Sequence, residues 1–433
     1  MWVRVSVVTA AAWATACYRP SAQEGLPCSE PSHTCPGDQV CDLQQSPPIC
    51  TDPGAGTDAA PDQAGGECST SSDCPGNAPV CETSVGVCRG CEADLECASG
   101  VCHELAGTCV DESKALFVTP SGVDNQSCTK LAPCGSVRTA LFVITPARRT
   151  IRVDDGTYTQ NYTIKSNNGG PVVISGIDRS PAGAVFQTGG ADLQTDPGST
   201  AVIEGITIAK AGNIGLINRG TTTLSRVRVT EAGFVGIDNR GGSLILLDSQ
   251  VDATQGIGIE SNNVLEVQRS EVFDNRDGGI SASGGFTIVN TVIHNNGALS
   301  SAVGGAKLGA NAGKPAVFRF NTVAGNKAGP NGSAVQCDSA FAVEDSLLVG
   351  NLSLLGPLTM SCAPRFCLFD TSPPAGTGNL QGDPMFVSIT DFHVLPSSPA
   401  VDKADPAATE ISALDGGRRP TGAARDIGAD EQP

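Results

Sequence analysis

Between residues 205 and 351, aliphatic side chains recur at a near-fixed interval. Ile208, Val229, Val251, Val272, Val292, Val323 and Leu348 follow one another at steps of 21, 22, 21, 20, 31 and 25 residues. A second column, Gly215-Leu216, Gly236-Ile237, Gly258-Ile259, Gly279-Ile280 and Ala334-Val335, keeps nearly the same phase. Such a period predicts a coiled solenoid, in which each turn buries its aliphatic face only against its neighbours. Short β-prone runs at 172–174, 185–186, 202–208 and 224–229 read as its strands. At about 4.8 Å per stacked strand, roughly nine or ten coils make a rod on the order of 45 Å long.

Within a coil, alternation sorts the faces. With Val229 pointing inward, Val227 also points inward, and Arg226 and Arg228 point out. The next coils place Asp248 with Gln250 and Arg269 with Glu271 at those outward positions, a ladder of alternating charge that helps fix register. Asn218 and Asn239 form one polar column, and Asn275, Asn295, Asn326 and Asn351 follow the anchor residues as turn-makers that hydrogen-bond to their equivalents in adjacent coils. The two long steps predict extra loop around residues 298–314 and 328–332, the first rich in Gly, Ala and Ser.

Composition agrees with a narrow coil rather than a broad enzyme core. Only 4% of the 433 residues are aromatic and 52 are glycine. The formal charge of −18 argues against nucleic acid or anionic lipid headgroups as partners, since both would be repelled. Eighteen cysteines indicate an oxidising compartment.

Residues 1–16 carry one positive charge, Arg4, and then an apolar run too short to span a bilayer, the pattern of a signal peptide. The segment ends Ala14-Thr15-Ala16-Cys17 and resembles a bacterial lipobox, with Ala14 where that motif usually has Leu. The resemblance implies acylation of Cys17 and attachment to a membrane through an N-terminal lipid; the alternative is ordinary cleavage after Ala16 with Cys17 left as a thiol.

Beyond a tether at 17–27 come three groups of four cysteines. Cys28, Cys35, Cys41 and Cys50 make the first module (28–50); Cys68, Cys74, Cys81 and Cys88, then Cys91, Cys97, Cys102 and Cys109, make two more within 67–110. Modules of about 20 residues cannot bury enough surface to fold unaided, so two disulfides are expected in each, with three pairings open. The competing ligand is zinc, through Cys88, Cys91 and the nearby His103, but a zinc ribbon wants two CxxC pairs at set spacing and every other gap is longer. Residues 51–66 lack bulky apolar side chains and read as a flexible linker. The modules resemble small cysteine-rich repeats of bacterial surface proteins, and together they read as a stalk. Cys128 and Cys134 are close enough to pin a loop. Cys337 can bridge Cys362, or Cys362 can close a loop with Cys367. With Cys17 acylated, 17 of the 18 cysteines remain, an odd number, so one thiol stays free.

Two further stretches carry a family likeness. The opening FVTPSGVDNQSCTKLAPCGSVRTAL (117–141), followed by Ile151, Val153, Gly156 and Tyr158, resembles the start of right-handed parallel β-helix proteins of the pectate-lyase-like class, in which this segment caps the first coil. Near the end, GDPMFV (382–387), DFHVLPSSPAVDKADPA (391–407) and DGGRRPTGAARDIGADE (415–431) resemble the choice-of-anchor Q block of bacterial surface β-helix proteins. These resemblances imply an all-β protein: a right-handed parallel β-helix solenoid over 116–380, a terminal block over 381–433, and a disulfide-rich, loop-dominated N-terminal region. In that family an anchoring segment often follows the block. Here the chain has no apolar tail after it, so attachment is expected to fall to Cys17.

Many proteins of this class cleave acidic polysaccharides with Ca²⁺-binding acids and a basic residue, or with a tight group of Asp. The chain has no matching Asp-Asp pair, Gly-His-Gly or Arg-x-Lys, and its four histidines are scattered. The one candidate constellation is Asp238 beside Glu260 on neighbouring coils, with Arg219 and Arg240 two residues further along. Carboxylates about 5 to 5.5 Å apart suit a retaining glycosidase, and the pair could equally bind Ca²⁺ through its oxygens; no other cofactor is expected. The bland reading of the four residues is a solvated charged face. Tryptophan occurs only at Trp2 and Trp13, in the export segment, so no large aromatic platform is available for a sugar. The expectation is a lipid-anchored extracytoplasmic protein of a bacterial outer membrane or cell surface, acting as a non-catalytic binding or adhesion module for a glycan or another surface protein. The alternative is a polysaccharide lyase or glycoside hydrolase using the same outward face.

Overall fold

Each coil contributes one short strand to each of three parallel sheets. The computed structural model describes residues 40–42, 49–51 and 68–432, apart from 167–169, 177–182, 188–192, 331 and 354–358. Two sheets have 11 strands and the third has nine. In mid-rod they are represented by Ser243–Leu247, Gln250–Asp252 and Ile257–Ser261, which we call the first, second and third sheets. The core is a stack of aliphatic columns, as the small-residue composition requires. Leu216, Ile237, Ile259 and Ile280 pair in register in the third sheet, all fully buried.

The glycine preceding each of these residues has a steric cause. A Cβ on Gly215 would lie 2.6 Å from the carbonyl oxygen of Gly236, and one on Gly236 would lie 2.5 Å from that of Gly258. The corner can therefore stack at strand spacing only without side chains. The column also runs through Gly305-Ala306, which pairs with Ile280 below and Val335 above. Residues 298–314 are thus not simply an inserted loop: they hold the strand Ala306–Leu308. The anchor column needs a second correction, since Val272 pairs with Ile293 rather than Val292, which makes the steps 21 and 30 residues.

The corner between the first and second sheets is sharper. Arg226, Asp248, Arg269, Asn290, Phe320, Asp345 and Phe366 occupy it in successive coils, all with left-handed φ between 44° and 52°. This conformation aims their side chains away from the sheet normal, so simple alternation misplaces them. Arg269 and Asp248 do meet in a bidentate pair, at 2.7 and 2.8 Å. Arg226, however, is bound by Glu104 of the third cysteine module. The asparagine ladder differs from expectation at one member, Asn296 taking the place of Asn295. Asn275, Asn296, Asn326 and Asn351 are joined side chain to side chain at 2.9 to 3.0 Å, and each Nδ2 group also donates to a strand carbonyl such as that of Val272. Asn295 sits instead at the second left-handed corner.

The chain divides into two compact units, residues 1–89 and 90–433. In the first unit, Val40–Asp42 pairs with Ile49–Thr51, with Cys41 and Cys50 as register partners, and Val80–Glu82 pairs with Val87–Arg89. The second module is closed by interlaced disulfides Cys68–Cys81 and Cys74–Cys88. The leader, Cys17, the tether, Cys28, Cys35, His33 and residues 52–66 of the linker lie outside the described residues.

The third module belongs to the second unit and lies against the rod, so it is not part of a detached stalk. Its own disulfides are Cys91–Cys102 and Cys97–Cys109. Asp94 bonds the buried Arg152, His103 approaches the buried Glu204 at 4.0 Å, and Glu104 bonds Arg226. Arg152 and Glu204 stand in one outward column of the first sheet, two coils apart. The first coil is capped by the helix Val137–Val143, whose N-cap Ser136 accepts from the Thr139 amide, and by the Cys128–Cys134 bridge. At the far end, Cys337–Cys362 joins neighbouring coils. Cys367 remains a buried free thiol, pushed up to about 12 by desolvation.

The terminal block has little regular structure after Leu380–Gln381, yet it is well packed. It covers outward positions of the second sheet that are apolar for that reason. Val292, Ala324 and Val349 are buried against Phe392 and Ala429, and Leu347 and Leu368 against Val394, Ala400 and Ile427. Backbone groups left without a ladder are satisfied by the block's own charged side chains. Arg419 donates to the carbonyls of Ser412, Asp426, Gly428, Ala429 and Asp430. Its guanidinium also lies 4.5 Å from the Phe320 ring centroid and 3.3 Å from Glu431. Asp426, Asp430 and Glu431 accept backbone amides in turn.

Candidate functional site

The four residues singled out in sequence are brought together only in part. Asp238 and Glu260 are register partners in the third sheet, with Arg219 and Arg240 just beyond the strand ends. Asp238 is only 1% exposed, and Arg240 Nε lies 2.5 Å from its Oδ2. Burial raises the Asp238 pKa, and Arg240 and Arg219 work against that shift. Glu260 is exposed to solvent. A carboxylate sealed beneath a guanidinium cannot reach a scissile bond beside an exposed partner, and Ca²⁺ would have to displace Arg240 to bind it. The arrangement does not fit that ion, and it describes a structural ion pair better than a nucleophile with its acid.

Among the described residues, the sets of three potential ligand atoms within 4.8 Å of one another are Cys68, Cys74, Cys88 and Cys91, Cys97, Cys109. All six sulfurs are in disulfides, which removes them from zinc chemistry.

A more promising recess lies where the terminal block meets the rod, beside the corner at which Glu104 of the third module binds Arg226. A groove of about 680 Å³ is floored by the corner residues Arg226, Asp248 and Arg269 and by Gln250, Glu271 and Val292 of the second sheet. The terminal block walls it with Thr390, Asp391, Phe392, His393, Leu414 and Asp415. Its polar groups are held in place by one another. Gln250 Nε2 donates to Glu271 Oε2 at 3.0 Å, and the other Glu271 oxygen lies 2.9 Å from His294 Nε2. The His294 ring is stacked on Phe273, with centroids 4.9 Å apart and planes within 4°, and leans on Phe392 at 4.5 Å.

On the opposite wall, His393 Nδ1 lies 2.6 Å from Asp391 Oδ1. Burial opposes a charge on His393, but Asp391, Asp430 and Asp415 overcome it and raise its pKa above the ordinary value. The bonds from His393 hold Asp391 below the usual carboxylate range. The groove therefore sets paired polar groups among apolar ones and is negative in balance. Sequence reasoning passed over these residues because Glu271 and His294 are about 100 residues from Asp391 and His393. The available signal was Val292: an apolar residue at an outward position implies something covering it.

No protein-family model and no curated protein matches the chain. Among solved structures, it is similar to a pectate lyase, Pel9A, with a TM-score of 0.53 and 16% sequence identity, the alignment covering 75% of this chain and 98% of that chain. The chain has the pectate-lyase-like β-helix fold. At this identity the likeness extends to architecture alone, so the residues of the β-helix must carry any functional argument themselves. Its disulfides indicate an extracellular protein, and among the described residues no helix is long and apolar enough to cross a membrane.

Proposed function

We propose that the protein is an extracytoplasmic binding module, held at a bacterial cell surface or outer membrane by a lipid on Cys17, that engages a surface glycan through the outward face of its β-helix. The observation that carries this reading is the groove of about 680 Å³ between the coils of the rod and the terminal block. It exposes fixed hydrogen-bond donors and acceptors, and its carboxylates are each committed to a neighbour or stand at the rim. Such a surface can orient hydroxyl groups without supplying a free acid and base. The terminal block supports the reading as a fixed wall of the site.

Cleavage of a polysaccharide is the second reading, favoured by the likeness in fold to a pectate lyase. The two separate on incubating the purified secreted chain with acidic and neutral glycans, with and without Ca²⁺. Retention without products is the expected result, and release of shortened chains would overturn it. The anchor is tested by mass: an N-terminal peptide with unmodified Cys17 would remove the lipid from the proposal.

A further inference from the structure

We infer that the groove selects a saccharide bearing positive charge, an amine-substituted glycan, and rejects uronates. This deepens the binding reading above and rests on it. The charge balance decides the sign. Both arginines on the floor already hold a carboxylate, Arg226 that of Glu104 and Arg269 that of Asp248. Neither offers a free guanidinium to a ligand anion. Glu271 is shared with an amide and an imidazole rather than a permanent cation, and Asp415 stands exposed on the rim. The raised pKa of His393, which Asp391, Asp430 and Asp415 produce, reports the same negative field at the wall. A ligand carboxylate would meet repulsion here, whereas an ammonium would find acceptors at fixed positions and a favourable potential.

Shape favours a sugar over a basic peptide. Equivalent outward positions, Arg226, Asp248 and Arg269, then Gln250 and Glu271, recur once per coil. The interval of about 4.8 Å is comparable to one hexose unit, so a chain of repeating sugars laid along the rod meets one outward polar or charged group from each coil. Peptide recognition depends on apolar anchors in desolvated pockets. In this groove the aromatic ring is Phe392, and it is buried against His294.

The test is titration calorimetry of the full secreted chain with glucosamine oligosaccharides, their N-acetylated counterparts, oligogalacturonate and oligolysine. The free amine should bind roughly two- to fivefold more tightly than its acetylated form, as expected when one partly exposed charge interaction is lost. Oligogalacturonate should not bind. Glu271→Gln combined with Asp415→Asn should erase the preference for the amine. Equal binding of acetylated and free sugars, or binding of the uronate, would overturn the inference while leaving glycan binding standing. Binding to oligolysine as tight as to the amine sugar would overturn it in favour of a peptide. Failure to bind any saccharide would instead bring down the binding reading itself. If the double variant does not fold, the comparison of acetylated and free amines on the unaltered chain still decides.

Discussion

Two covers lie on the same rod and are held by different forces. The third cysteine module, closed by Cys91–Cys102 and Cys97–Cys109, contributes no residue to the apolar clusters of the rod. It docks through Asp94, His103 and Glu104 on Arg152, Glu204 and Arg226. The terminal block has no disulfide among the described residues, and it docks through Phe392, Val394, Ala400 and Ile427 on outward aliphatic positions. The contrast follows from size. A module of about 20 residues cannot enclose a core, so its fold is set by cross-links and it docks through polar side chains. A block of about 50 residues can lend apolar area to a surface that already has some, provided its irregular backbone is satisfied from within.

The sharpest way to break this comparison is at Arg419, which joins the carbonyls of the terminal block. Replacing a buried, hydrogen-bonded cation orphans its partners and should cost on the order of 3–5 kcal/mol. Arg419→Ala is expected to release the block to limited proteolysis and to lower the unfolding temperature; a block that stays protected would place its stability in the apolar contacts alone. The matching experiment on the other cover is Cys97→Ser with Cys109→Ser. Opening that loop should destabilise the module by about 3 kcal/mol and raise hydrogen exchange across residues 91–109 while coils beyond Arg269 keep their protection. Loss of protection throughout the rod would show that the module is needed by the coils themselves.

A smaller effect separates the covers by pH. Asp345, buried at the first corner and bonded to the Asp405 amide of the terminal block, is pushed up to about 6 by burial, with Asp405 and Glu344 adding to the shift. Its folded pKa lies above the unfolded value, so the folded state binds more protons between the two, and stability falls as pH rises from about 4 to about 6. The change is on the order of 3 kcal/mol at most. Asp345→Asn should flatten this part of the profile; an unaltered slope would assign it to another group. Least is expected of the pair in mid-groove. Arg269→Ala should cost no more than about 1 kcal/mol, because its bond to Asp248 is partly exposed. A larger loss in denaturant unfolding would make the corner ladder a structural element in its own right.

The coil itself was legible because its signal is local and repeats. Leu216, Ile237, Ile259 and Ile280 showed the period, and the glycine before each marked a corner with no room for a Cβ. Single-residue errors arose where two neighbouring residues both satisfied the pattern. Val292 and Ile293 are both aliphatic, and Asn295 and Asn296 are both asparagine; only the pairing of strands tells inward from outward. The proposed pair Asp238 and Glu260 was placed correctly in register, but its burial was not legible, since Arg240 closes over Asp238 from beyond the strand end.

By itself the sequence determined the repeating unit, because strand, corner and stacking contact all fall within one or two periods of about 21 residues. It also determined the oxidising compartment, through the cysteines. Which outward faces are covered was decided by tertiary structure alone. Asn290 reaches Ser412 across 122 positions, and Thr322 accepts the Ala429 amide across 107. No period spans such distances, and the groove takes its wall from the terminal block, a segment remote in sequence from the coils that floor it.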